Sequence, residues 1–128
     1  VSNVLQALRK ATEQNIAENP VTVVIRRKVY VQNASGGRTE QTRALPPFQG
    51  RLVTTKQLPR VYQPEAGMHQ AVSGWALIAP HDADLRWGSD VVDEFKLVDG
   101  RSYRVVRVIP RGYNGEIYAV HALLEEVA

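Results

Sequence analysis

Apolar residues recur along this chain mostly with a period of two, broken at short intervals by Gly, Pro and polar clusters. Val21–Val31 reads VTVVIRRKVYV. On one parity Val23, Ile25, Val29 and Val31 point to a core, with Arg27 the exception. Thr22, Val24, Arg26, Lys28 and Tyr30 make the other, half-solvated face. Further strands are predicted over Phe48–Thr55, Gly74–Ala79, VVDEFKLV from Val91, RSYRVVRVI from Arg101, and Glu116–Leu124. In the last, Tyr118, Val120, Ala122 and Leu124 alternate with Ile117, Ala119, His121 and Leu123, so that strand is covered on both sides or sits at an interface. Asp99-Gly100 predicts a tight type I′ hairpin turn, with both residues at positive φ, and Asn114-Gly115 marks a second turn.

The remaining segments are less regular. Ser2 or Asn3 caps a helix to about Glu18 with Val4, Leu5, Leu8, Ala11 or Thr12, and Ile16 near one stripe, and Asn19-Pro20 ends it. That stripe is too thin for a free-standing helix, which needs a partner or one side of the sheet. Gln32–Gln41 (QNASGGRTEQ) reads as a polar hairpin tip, and Pro46-Pro47 forbids central pairing before Phe48. From Lys56 to Gln70 no period holds, and such long loops in compact domains are commonly functional. The pattern predicts a mainly β fold: a small antiparallel β-barrel of about six strands, an N-terminal α-helix and one long β–β loop. It forms a single domain over 1–128, with a helical arm at 1–19 and the barrel at 20–128.

Composition narrows the function. The chain has 128 residues, 44% of them hydrophobic and 23% charged, which suits one folded domain. With no cysteine it has neither disulfides nor thiolate chemistry. No apolar run approaches the ~20 residues of a membrane span, and no leader pattern opens the sequence, so neither a membrane partner nor secretion is expected. Charge is segregated: residues 20–60 carry eight Lys/Arg against one acid, Glu40, whereas residues 61–128 carry six against ten. Such segregation suits a subunit that meets unlike neighbours or steers a polyanion.

Candidate chemistry is sparse. His81-Asp82-Ala83-Asp84 is the best metal or catalytic constellation, but no spaced His or Cys pair accompanies it. Ser73 lacks a nucleophile elbow, and no Gly-rich loop precedes a helix. No catalytic, metal or cofactor site is therefore predicted, and an enzyme is not expected. Nucleic-acid binding has Arg26, Lys28 and Tyr30 on one strand face and Tyr103 and Arg104 nearby, as an OB-like single-strand binder requires. Trp75 and Trp87 read as packing anchors. A structural subunit accounts for the rest, because neighbours in a ring bury strand edges that otherwise invite aggregation.

From Phe48 to Val108 the order of features resembles the head-closure, or stopper, proteins of long-tailed bacteriophages, within the head–tail connector group. The likeness runs through Gln49–Val53, the long segment Lys56–Gln70, Trp75–Ile78 and His81–Asp84. It continues through Gly88-Ser89-Asp90-Val91-Val92 to Asp99-Gly100-Arg101-Ser102-Tyr103-Arg104-Val105-Val106-Arg107-Val108. The N-terminal helix departs from shorter family members. The resemblance implies a ring in the virion neck, assembled in the host cytoplasm, that closes the DNA channel after packaging and offers a docking surface to the tail. Its partners would be other copies of itself, the portal and adaptor ring, tail proteins, and the double-stranded DNA in the channel. A tail-terminator or tail-completion ring shares these features. Lys56, Gln57, Pro59, Arg60, Tyr62, Gln63, Pro64 and Glu65 are then candidates to face the channel. Arg26, Lys28, Tyr30, Arg38, Asp82, Asp84 and Tyr118 are candidates for subunit interfaces.

Overall fold

The computed structural model describes residues 3–55 and 74–127. One helix, α1 (Asn3–Glu18), precedes eight strands: β1 (Val21–Val23), β2 (Arg26–Gln32), β3 (Arg38–Ala44), β4 (Phe48–Thr54), β5 (Trp75–Pro80), β6 (Val91–Lys96), β7 (Ser102–Tyr113) and β8 (Glu116–Val127). They form one antiparallel sheet in the order β1-β4-β5-β8-β7-β6-β2-β3. The sheet curls into a half-barrel and does not close.

The expected six strands become eight because the expected Val21–Val31 strand is interrupted and an unexpected strand, β3, precedes Phe48. Val24-Ile25 separates β1 from β2, and Leu45-Pro46-Pro47 separates β3 from β4. The pairing sums differ by one residue across this break, Val23 facing Phe48 on one side and Arg26 facing Ala44 on the other. Two residues thus oppose three, and the prolines, which lack the N–H a ladder needs, lie in the longer segment. The Leu45 N–H still donates to Ile25 O at 2.9 Å. Since β1 passes into β2 across only three Cα steps, about 11 Å at most, the opposite ends of the sheet are drawn together there.

β3 is a further correction, because its first residues belong to the expected polar loop. The turn is shorter, with the Asn33 N–H donating to Gly37 O at 2.7 Å and Asn33 Oδ1 accepting from Ser35 and Gly37 N–H. The strand RTEQTRA has no apolar face, and every one of its residues is exposed. Pairing with β2 along seven residues defines it.

The two turns also exchange roles. Asn114 and Gly115 both have positive φ, 50° and 79°, joining Tyr113 to its partner Glu116 as a two-residue type I′ turn does. At the other hairpin only Gly100 is positive, at 96°. There Leu97 N–H donates to Arg101 O and Gly100 N–H to Leu97 O, a three-residue loop with glycine in the left-handed position. Asp99 accepts from Arg101 N–H and Nε instead of taking positive φ.

The concave side of the sheet encloses Val23, Ile25, Leu77, Phe95, Tyr103, Val105, Val120 and Leu124. On the convex side Ile16 of α1 joins Val53, Ala76, Ile78, Ile109 and Leu123. The helix thus packs on one side of the sheet, over β4, β5 and β8. Of its expected stripe Leu5, Thr12 and Ile16 are buried, while Val4 is 47% exposed. Arg9 fastens it by donating twice to Ile117 O, at 3.1 and 3.0 Å, and Arg51 reaches back to Asn15 and Glu18. Residues 119–124 of β8 are buried on both parities, between core and helix. Val31 is 44% exposed, because β2 pairs with β6 only as far as Val29 and then runs on with β3 alone.

Candidate functional site

Of the residues singled out by sequence, Lys56, Gln57, Pro59, Arg60, Tyr62, Gln63, Pro64 and Glu65 lie outside the described residues. The interface candidates divide into three places.

Arg26, Lys28 and Tyr30 alternate along one face of β2, and Tyr30, at its far end, meets Arg38 from β3. The Arg38 guanidinium lies 5.1 Å from the Tyr30 ring centroid and pairs with Asp90 at 3.0 Å. Tyr30 N–H donates to Asp90 O at 2.9 Å, so β2, β3 and the segment before β6 are tied at one point. Arg26 faces Glu94 across the β2–β6 ladder. Glu94 accepts from Arg104 Nε at 3.4 Å, and Arg104 also lies 3.6 Å from Glu125. The convex face from β3 to β6 and the Arg104 end of β7 is therefore a surface of mixed charge, while α1 packs over β4, β5 and β8. Trp87, 51% exposed, stands there beside Val92, over a hollow of about 390 Å³ lined also by Val91, Arg104 and Val106. This corrects its reading as a packing anchor. Its bridge partner Val92 lies on the parity opposite the buried Asp93 and Phe95, so the indole shares the outward face instead of the core.

Asp82 and Asp84 do not join this surface. They border a cleft of about 270 Å³ with Ile25, Leu45, Pro46, Pro47 and Phe48. Asp82 is exposed. Asp84 serves an internal contact: its carboxylate accepts from Arg27 Nη1 and Nη2 at 3.1 Å, and its carbonyl accepts from Nη2. Hydrogen bonding from Arg27 holds the Asp84 carboxyl below the usual carboxylate range. Tyr118 belongs to a third place, near the β7–β8 turn, with Arg111 5.6 Å from its ring centroid.

The centre that sequence reasoning missed is Arg27 with Asp93. Their side chains are 1% and 0% exposed, and they meet through Nε–Oδ1 at 2.8 Å and Nη2–Oδ2 at 2.9 Å. Asp93 Oδ2 also accepts the Arg86 N–H at 2.7 Å. The fork of a guanidinium matches a carboxylate edge to edge, and full pairing is what makes such burial tolerable. It raises the Arg27 pKa, chiefly through the Asp93 hydrogen bonds. Arg27 thereby clamps β2, β6 and the 84–86 segment. A signal was present: Arg27 and Asp93 are each the lone charge on a core parity, the latter between Val91 and Phe95.

Two further polar groups are enclosed. Tyr103, expected near a nucleic-acid face, is fully buried between Trp75 and Phe95, and its hydroxyl finds no hydrogen-bond partner among the described residues. Burial raises its pKa. His121, beneath α1, has its imidazole pKa pushed down to about 4 by burial, with Arg111 adding repulsion. Among the described residues no three His, Asp or Glu gather as metal ligands do, and no helix is long and apolar enough to cross a membrane.

The accessible chemistry is thus a strand surface of mixed charge with an exposed indole, suited to a partner offering charged groups and an apolar contact. Comparison with known proteins adds no relative: no family model, no curated protein and no solved structure matches this chain.

Proposed function

We propose that this chain is a ring-forming structural protein of a tailed-bacteriophage neck. In this reading it sits at the head–tail junction, closes the DNA channel after packaging and presents a docking surface to the tail. The observation that carries the reading is the convex face from β3 to β7. Beyond the helix it carries Trp87, the Arg26–Lys28–Tyr30 row and Arg38 over Tyr30, and it ends in the wholly exposed strand β3. An exposed Trp beside valines and an arginine is the kind of anchor that protein–protein contacts use. The features behind the resemblance also fall on consecutive neighbours of the sheet, β4–β5 and β6–β7, with the 81–90 segment between them.

The test is to mix purified protein with an assembled portal–adaptor complex and image the product. A closed ring of added density at the adaptor face is expected. Protein that never binds, or binds without rotational order, would refute the assignment.

A single-strand-binding module is the second reading, favoured by the shared outward face of Arg26, Lys28 and Tyr30. Against it, Tyr103 is buried and the Tyr30 ring is already covered by Arg38. If that reading is right, Arg26→Ala with Lys28→Ala flattens a steep salt dependence of oligonucleotide affinity. No affinity at low salt dismisses it.

A further inference from the structure

β3 is the last strand of the sheet, and among the described residues nothing pairs with its outer side. Its ladder with β2 reveals which backbone groups point there. Asn33 N–H bonds Gly37 O, and Leu45 N–H bonds Ile25 O. Between these two bonded pairs the register runs unbroken from Gln32–Arg38 to Arg26–Ala44. Bonded and open pairs alternate in an antiparallel ladder. Thr39, Gln41 and Arg43 therefore turn their N–H and C=O toward β2, whereas Arg38, Glu40, Thr42 and Ala44 turn theirs outward.

We propose that this outer edge pairs with the same edge of a second copy of the chain, antiparallel about a two-fold axis through Gln41. Arg38 then faces Ala44 of the other copy, Thr39 faces Arg43, Glu40 faces Thr42, and Gln41 faces Gln41. Every outward N–H and C=O of the strand meets its complement, because only pairs of even-numbered residues can bond. The edge has no bulge or proline within it, and Pro46-Pro47 lies just past its end.

Charges on an edge usually discourage pairing; here they select a register. Sliding by two residues one way sets Glu40 against Glu40, which like charge disfavours. Sliding the other way loses one of the outward-bonding pairs. The opposite edge of the sheet, β1, spans only three residues and is a poorer match. A two-fold contact closes on itself, so this pairing does not depend on the ring assignment.

The chain has no cysteine, so single introduced thiols report the register cleanly. Gln41 falls at an open pair, where opposed Cα atoms stand about 4.5 Å apart, within disulfide geometry. Thr39 instead lies four residues, roughly 13 Å, from its own counterpart. Under mild oxidation Gln41→Cys should form disulfide dimers about tenfold or more faster than Thr39→Cys. Adding Thr42→Pro removes an outward N–H that β2 does not use, and should bring the Gln41→Cys rate down to that of Thr39→Cys. Equal rates for the two cysteine variants, including no cross-linking by either, would overturn the proposal. So would fast cross-linking that survives Thr42→Pro in a folded protein. Failure to ring a portal complex leaves this contrast untouched, so the two ideas fail separately.

Discussion

Replacing Asp93 by alanine tests the clamp at the centre of this fold. The substitution leaves the Arg27 guanidinium, 1% exposed, with Asp84 alone, and strips the Arg86 N–H of its acceptor. Breaking a buried ion pair from one side costs about 3–5 kcal/mol, since the surviving charge stays desolvated. With a urea m-value of about 2 kcal/mol/M, the midpoint should fall by roughly 2 M. The double variant Arg27→Met with Asp93→Leu removes both charges and releases Asp84, whose side chain is 55% exposed, to water. It forfeits the Arg86 contact, about 1–3 kcal/mol, and the Arg27 bonds to the Asp84 carboxylate and carbonyl. It leaves no buried charge unpaired, however, so it should be more stable than Asp93→Ala despite carrying more changes. Equilibrium urea unfolding followed by tryptophan fluorescence reads all three proteins. A loss under about 1 kcal/mol for Asp93→Ala, or a double variant as unstable as the single one, would refute the reasoning.

Other expectations follow from the same contacts. His121 titrates near 4 in the folded chain against 6.5 when exposed, so the unfolded state gains its proton first as pH falls. Stability is therefore lost between pH 6.5 and about 4, by on the order of 3 kcal/mol at the limit. His121→Leu should flatten unfolding free energy over that window, and an unchanged slope would exclude this cause. Asp84 works lower: its depressed pKa gives stability present above the ordinary carboxylate value and lost as pH drops through the folded one, so Asp84→Asn should blunt the loss below about pH 4. Gly50→Ala places a Cβ 2.9 Å from Leu77 Cδ1 and 3.1 Å from the Ile78 carbonyl. It should cost about 1–3 kcal/mol. Gly115→Ala meets no neighbour but sits at φ 79°, and its strain should cost about 1 kcal/mol in thermal unfolding.

What could be read from the sequence was whatever apolar alternation dictates. Val23 and Ile25 are buried as their parity requires, and Leu124 lies in a strand buried on both parities as its pattern requires, whereas Val31 runs past the core. β3 was hidden because its residues bury nothing; it exists through backbone pairing with β2, to which side-chain pattern is blind. Asp99-Gly100 misled because an aspartate can accept from Arg101 instead of adopting positive φ, while Asn114 did adopt it. Arg27 was visible as a breach of parity, yet its partner lies 66 positions away. Trp87 escaped because nothing in composition separates an indole that fills a core from one that shares the outer parity of its bridge partner Val92.

The neck assignment is tested most directly by locating the protein in whole particles. Virions carrying a peptide tag on this chain should bind a tag-specific antibody fragment as one ring between head and tail in electron micrographs. Intact, infectious virions from which the chain is absent, or a label spread along the tail or over the head shell, would contradict it.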